Sequence, residues 1–193
     1  MEPVPPGKPT LRVIELGDGL ALHPASTDDA TELFAAIDRN RARLRQWLPW
    51  ISNHYSFHDA LRFLEQAVTQ NAEGSALTML IRSNGKICGA IGLHRIDYPN
   101  RASSIGYWIG NDHEGKGFIT RACHAILDLA FLTYGLHRIE IRCATGNTRS
   151  TAIPIRLGFS EEGILKEAEW LYDHWVDLRV FGLIDVNWKK VSG

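Results

Sequence analysis

Between residues 109 and 120 the chain reads Ile109-Gly110-Asn111-Asp112-His113-Glu114-Gly115-Lys116-Gly117-Phe118-Ile119-Thr120. Gly115 and Gly117 carry no Cβ, so the backbone there can approach a ligand closely. Apolar residues at helical spacing follow. The first-turn N–H groups of that helix, with the positive end of its dipole behind them, face the same space. Such a place binds anions, and phosphate is the natural one. The run is not a P-loop, because Phe118 follows Gly117 where a Lys followed by Ser or Thr is needed, and it has no GxGxxG. Taken alone, Gly-x-Gly before a helix fits a tight turn with a helix cap equally well.

Other reactive side chains are scattered. His54 and His58 lie four apart, as two zinc ligands on one helical face would. No third ligand accompanies them and the helix begins only at Ser56, so no metal is expected. His113 borders the glycine pair and, protonated, would suit a phosphate; exposure to solvent is the plainer reading. Cys88, Cys123 and Cys143 are odd in number, form no CxxC and sit among apolar residues. They read as buried thiols of a reduced, cytoplasmic protein. Arg39, Arg41, Arg43 and Arg45 form a local basic run, read as the solvated end of a helix.

Strands are expected at 20–24, 76–82, 86–93, 102–109, 138–144, 162–170 and 175–184. Asn84-Gly85 between two of them is a type I′ hairpin signal. Helices are expected after Ser26-Thr27-Asp28-Asp29, with Ala30, Leu33, Phe34 and Ile37 as the stripe, and at 56–71, closed near Gly74. The most regular helix carries Ile119, Ala122, Cys123, Ile126, Leu127, Ala130 and Phe131, closed by Gly135. A short one spans 147–157, and Pro154 inside it predicts a kink or a late start. The strand–loop–helix–strand run over 102–144 is long enough to join parallel neighbours. The fold class is therefore a mixed α/β sheet: an antiparallel meander, one βαβ unit and a final hairpin.

A chain of 193 residues with 45% hydrophobic and 22% charged residues fits a single ordinary globular domain. Its net charge of −1 argues against a nucleic-acid-binding face, which needs a basic excess. Residues 1–10, with Pro3, Pro5, Pro6 and Pro9, read as a flexible tail and not a signal peptide. No apolar run is long enough to span a membrane.

Several stretches together resemble the GNAT superfamily of N-acetyltransferases. They are Gly106-Tyr107-Trp108-Ile109, Glu114-Gly115-Lys116-Gly117 with Thr120, Asn147-Thr148-Arg149-Ser150, Leu157-Gly158-Phe159 with Glu162-Gly163, and Asn40 to Leu44 before Trp47-Leu48-Pro49-Trp50. Their order resembles the RimJ/RimL branch, which acetylates N-terminal amines of ribosomal proteins. The resemblance covers residues 20–185 and makes 11–193 one N-acetyltransferase domain. It departs from the superfamily's Gln/Arg-x-x-Gly-x-Gly/Ala at Glu114 and Ile119. A carboxylate at 114 would repel a pyrophosphate unless it turns to solvent and leaves the backbone amides to bind.

The resemblance implies acetyl-CoA as cofactor, with pantetheine along Tyr107, Trp108 and Ile109. It puts the pyrophosphate on Gly115, Lys116, Gly117, Phe118, Ile119 and Thr120, beside Glu114, and has Asn147 and Ser150 at the pantetheine arm. It implies Glu169, in Lys166-Glu167-Ala168-Glu169-Trp170, as general base and Ser150 as acid toward the leaving thiolate; Tyr134 is a weaker acid candidate. At least one of Trp47, Trp50, Trp170 and Trp175 is expected in the acceptor cleft. The implied partner is a primary amine, a ribosomal or other protein N-terminus, with no nucleic acid or membrane, in a homodimer. A small-molecule amine acetyltransferase and a non-catalytic acyl-CoA sensor remain alternatives.

Overall fold

The computed structural model describes residues 11–191; the expected tail at 1–10 lies outside the described residues. Eight strands form one sheet among them: β1 Ile14–Gly17, β2 Leu20–Pro24, β3 Leu77–Ser83, β4 Lys86–Asp97, β5 Ala102–Ile109, β6 Arg138–Ala144, β7 Ser160–Leu171 and β8 His174–Ile184. The helices are α1 Ala30–Arg39, α2 Arg41–Leu44, α3 Phe57–Glu73, α4 Phe118–Asp128, α5 Thr148–Arg156 and α6 Asp185–Val191. Local chemistry fixes many of the boundaries. Ser56 and Asp59 form a capping box at the start of α3, and Gly74 closes it at φ +75°. Asn84 and Gly85 both adopt positive φ, 49° and 77°, as the β3–β4 turn demands.

The strand order is β1-β2-β3-β4-β5-β6-β8-β7, and only β5 and β6 run parallel. Their pairing is short: Ala102, Ser103 and Ser104 face Arg138, Ile139 and Glu140, and there the register ends. Beyond it β5 stays with β4, and β6 with β8. The sheet therefore opens between Ile105–Ile109 and Ile141–Ala144. One core fills the sheet face under α4, with Ile126, Leu127, Ile139, Ile141 and Phe181 fully buried. A second lies under α1 and α3, around Leu33, Ile37, Leu64 and Leu80, and takes in Trp108.

The sequence reading missed two elements, β1 and α6, and placed β7 and β8 without their neighbours. β8 lies between β6 and β7, so the final hairpin joins the sheet by its second strand. The helix at 147–157 does not start late: Asn147 caps it by accepting from the Ser150 N–H, and it continues through Pro154. The regular helix ends in a π-helical turn over Leu129–Thr133 before Gly135.

Candidate active site

The opening between β5 and β6 exposes main-chain polar groups. In an antiparallel pair, successive residues turn their N–H and C=O alternately to either side. The Gly110 N–H bonds the Cys88 carbonyl of β4 at 2.8 Å. By alternation, Ile109 and Tyr107 point theirs the other way, into the gap. A cavity of about 850 Å³ lies along this edge. It brings together Tyr107, Trp108, Ile109, Glu114, Gly115, Gly117, Phe118, Ile119, Thr120, Asn147 and Ser150. Of the residues expected at the site, Lys116 and Glu169 are not part of its lining.

At one end the loop makes its cradle. Gly115 and Gly117 both have φ +75°, and a Cβ on either would meet nothing within 4 Å. Glycine is required there by the left-handed backbone, and the space above it is open. Gly117 caps α4 with no side-chain hydrogen bond, so the first-turn amides have no side-chain cap. Arg156 of α5 also lines the cavity, where its only partner among the described residues is the Thr120 hydroxyl, 3.0 Å away. Backbone donors, a helix N-terminus and an arginine without a carboxylate form an anion site that fits a pyrophosphate.

The Glu114 carboxylate does not turn to solvent. It lies between Arg43 of α2, at 3.3 Å, and Arg149 of α5, and its side chain is only 20% exposed. Two guanidiniums offset its charge, which removes the objection to a carboxylate beside a phosphate site. In the basic run at 39–45, Arg39 is an exposed helix end as expected, but Arg41, Arg43 and Arg45 are not simply solvated. Arg41 donates to the carbonyls of Ser52, Asn53 and Tyr55, and Arg45 donates to the Ile51 carbonyl while lying 4.0 Å from the Tyr172 ring centroid. His113 is half-buried and lines the cavity. Its Nδ1 has no partner among the described residues, and burial, followed by the nearby Lys116 charge, lowers its pKa. It stands in the cavity wall with its charged form disfavoured.

Where the strands part, three side chains form a hydrogen-bonded chain. The Ser150 Oγ donates to the Tyr107 hydroxyl at 3.1 Å, that hydroxyl donates to the Ser150 carbonyl at 3.1 Å, and the Cys143 Sγ lies 3.2 Å from the Ser150 Oγ. Pro154 explains the middle link. It has no N–H to give the carbonyl four residues earlier, and Tyr107 supplies the missing donor. Burial drives the Tyr107 pKa far above the ordinary phenol value and raises that of the Cys143 thiol. All three groups are protonated, and each hydroxyl donates once. Tyr134, by contrast, packs in the core outside the cavity lining, with its pKa pushed up to about 12 by burial.

Glu169 lies on β7 just past an irregular stretch where Glu167 has φ +46°. It is half-buried, its carboxylate makes no hydrogen bond or ion pair among the described residues, and burial raises its pKa. The hairpin that carries it is fastened to the α2 side of the molecule. The Tyr172 hydroxyl donates to the Leu48 carbonyl and, at 2.8 Å, to that of Ile51. Trp47 lines the cavity, while Trp170 and Trp175 pack edge-on at the hairpin tip with ring centroids 5.1 Å apart.

His54 stands outside α3, and no group of three or more His, Cys, Asp or Glu among the described residues is disposed to hold a metal ion. No helix among them is long and apolar enough to cross a membrane. Sequence reading missed Arg43, Arg156, Cys143 and Tyr172 as parts of the site. Only Pro154, by depriving Ser150 of a donor, left a signal that a side chain must come to meet that carbonyl.

Comparison with known proteins agrees with this geometry. Residues 20–160 match the family described as the acetyltransferase (GNAT) domain. The chain is 36% identical over 163 residues to the putative ribosomal N-acetyltransferase YdaF of Bacillus subtilis, covering 83% of this chain and 88% of that one. It is 30% identical over 171 residues to the ribosomal-protein-serine acetyltransferase of Escherichia coli, covering 89% and 96%. The solved structure of RimL, a ribosomal α-N-protein acetyltransferase in complex with coenzyme A, superposes with a TM-score of 0.86 at 25% identity, over 90% of this chain and 99% of that one. A match over most of the sequence, centred where the backbone already offers an anion cradle beside an open strand gap, makes this chain a member of the GNAT family of acetyltransferases.

Proposed function

We propose that the protein transfers an acetyl group from acetyl-CoA to the N-terminal amine of a protein, by direct attack within a ternary complex. The observation that carries this reading is the gap between β5 and β6, with an anion cradle at one end. A donor held from the α4–α5 side and an amine arriving from the α1–α3 side can meet through it. The activated thioester supplies the acyl carbon.

The chain's own residues do the rest. First-turn amides of α4, with Arg156, hold the pyrophosphate. Main-chain N–H groups of Tyr107 and Ile109 face the gap and can donate to the oxygen that gains charge in the transition state, a contribution on the order of 3 kcal/mol per donor. The Ser150 hydroxyl, held beside the gap by Tyr107, turns its proton from the Tyr107 oxygen to the departing sulfur. Glu169, with its pKa raised toward that of its task, accepts a proton from the amine. An α-amine, with a pKa of about 8, needs less help than a lysine at about 10.4. The ribosomal-protein acetyltransferases among the relatives support a protein N-terminus as acceptor and the cytoplasm as the place of action.

A thermal-shift titration with acetyl-CoA, followed by a free-thiol assay with peptides beginning in Ser or Ala, tests this. Stabilisation with thiol release supports both donor and acceptor. Stabilisation with release only on small amines keeps the donor and replaces the acceptor. No stabilisation overturns the reading.

A further inference from the structure

The imidazole of His94, on β4, rests on Gly106 of β5. A Cβ on Gly106 would stand 2.3 Å from the ring Nε2 and 2.7 Å from Cδ2, so only glycine leaves the ring this place. Strand pairing fixes the face it occupies. His94 pairs with Ser104, Ser104 with Glu140, and Glu140 with Gly182; Val176, on the same face of β8, pairs with Glu169. Directly paired residues share a face, and so do alternate residues along a strand. His94 and Glu169 therefore stand on one face of the sheet, the one that also carries Trp108 and the α1–α3 core. Tyr107 and Ser150 meet on the opposite face.

Gly106 lies two residues past Ser104, the last β5 residue to pair with β6. The ring thus sits where the gap begins, on the amine's side of it. His94 is exposed, with neighbouring protein atoms dense enough around the ring that partial desolvation lowers its pKa. Its nitrogens make no hydrogen bond or ion pair among the described residues.

The charged groups around it are engaged or distant. On β6, Glu140 is held by Arg138 and Arg142. On α1, Glu32 is bound to Arg82 and to the Ile87 N–H at the far end of β4. On α3, Asp59 pairs with Arg62, while His58, Glu65 and Glu73 are exposed, as is Arg95 beside His94. Burial is the sole cause of the lowered His94 pKa.

We propose that His94 is a further catalytic residue of the transfer, a second acceptor for protons leaving the amine at the mouth of the strand gap. This rests on the acetyl-transfer reading but not on which amine is used. An ammonium group must shed two protons to become an amide N–H, and this face carries two acceptors at different points, His94 in the Gly182 row and Glu169 opposite Val176, each reached directly or through water. As the first proton leaves, its N–H electron pair stays on nitrogen. Nitrogen then bonds the acyl carbon while the carbon–sulfur bond breaks, its pair leaving on sulfur. The second proton leaves nitrogen as the amide forms. Ser150 gives its hydroxyl proton to sulfur and takes one back from water, Glu169 and His94 release theirs to water, and the net yield is one proton.

The test compares His94→Asn and His94→Gln with wild type, using peptides beginning in Ser or Ala and a panel of small amines. The expected result is a fall in kcat of about 100-fold for every amine the wild type accepts, with coenzyme A affinity and melting temperature unchanged. A limb of the wild-type kcat/KM profile, with an apparent pKa below the ordinary histidine value, disappears. In wild type, the NMR titration of the His94 ring matches that limb, a measurement independent of how well the variants fold. Variants with full kcat, a loss confined to KM, or a ring titration that does not match the limb each overturn the assignment. A wild type active on small amines alone replaces the acceptor while leaving His94 judged on those amines. A wild type that acetylates nothing overturns both readings.

Discussion

The Tyr107 hydroxyl and Ser150 are joined twice, donating to the serine carbonyl and accepting from its Oγ, each at 3.1 Å. Because Pro154 cannot serve that carbonyl, Tyr107→Phe leaves it without a donor and frees the serine hydroxyl to turn. Urea unfolding is expected to show a loss of about 1–3 kcal/mol, with a fall in kcat. Pro154→Ala restores a helical N–H, so Tyr107→Phe should cost less stability in that background. A double-mutant cycle measures the difference; strict additivity would mean that the two residues do not share the carbonyl.

Gly117→Trp sets a side chain in the open space over the cradle and forces a bulky residue to φ +75°. Calorimetric titration should find coenzyme A binding abolished, while far-UV circular dichroism stays that of a folded protein. Undiminished affinity would remove the pyrophosphate from this loop.

Glu114→Gln releases Arg43 and Arg149 from their shared carboxylate. Because the Arg149 side chain is 70% exposed, stability should change by less than about 1 kcal/mol. Coenzyme A affinity should rise several-fold at low salt, as two cations gain freedom beside the anion site, and the gain should shrink as ionic strength increases. Weaker binding in the variant would mean that the clamp itself shapes the site.

Glu169→Gln separates catalysis from stability. Burial raises the carboxyl's pKa, so its charged form is disfavoured by folding. The folded state then holds its proton more firmly than the unfolded chain does. Stability is fully present below the ordinary carboxylate value and is lost as pH rises through the folded-state pKa. The glutamine variant should therefore melt higher than wild type at pH 7.5 and at the same temperature below the ordinary carboxylate range. Its turnover should be lower, most of all at acidic pH, where amines are protonated. Full turnover would take Glu169 out of the mechanism.

Much of the fold was legible because local rules set it. The Asn84-Gly85 turn, the stripe of α4 and the strand at 138–144 with Ile139, Ile141 and Cys143 buried follow from residue types and spacing. β1 was missed because four residues give too short a pattern to stand out, although Ile14 and Leu16 alternate with Glu15 ahead of a Gly17-Asp18-Gly19 turn. The place of β8 between β6 and β7 is a choice among long-range pairings that no local rule makes. At the site, the glycines announced themselves through backbone freedom. The roles of Arg43, Arg45 and Glu114 depend on partners such as Arg149 and Tyr172, far off in the sequence, and the place of His94 shows only when β4 is laid against β5.

The fastening of Tyr172 to Leu48 and Ile51 sets an order on the birth of the enzyme. Those partners are 124 and 121 residues apart in sequence. On a ribosome, the cradle loop and the Ser150 helix emerge before the last hairpin, but β6, one wall of the gap, waits for β8, its main partner. The wall that carries Glu169 is joined to Leu48 and Ile51 only after Tyr172 has emerged. On the proposed mechanism, competence to modify an amine waits for that late fastening.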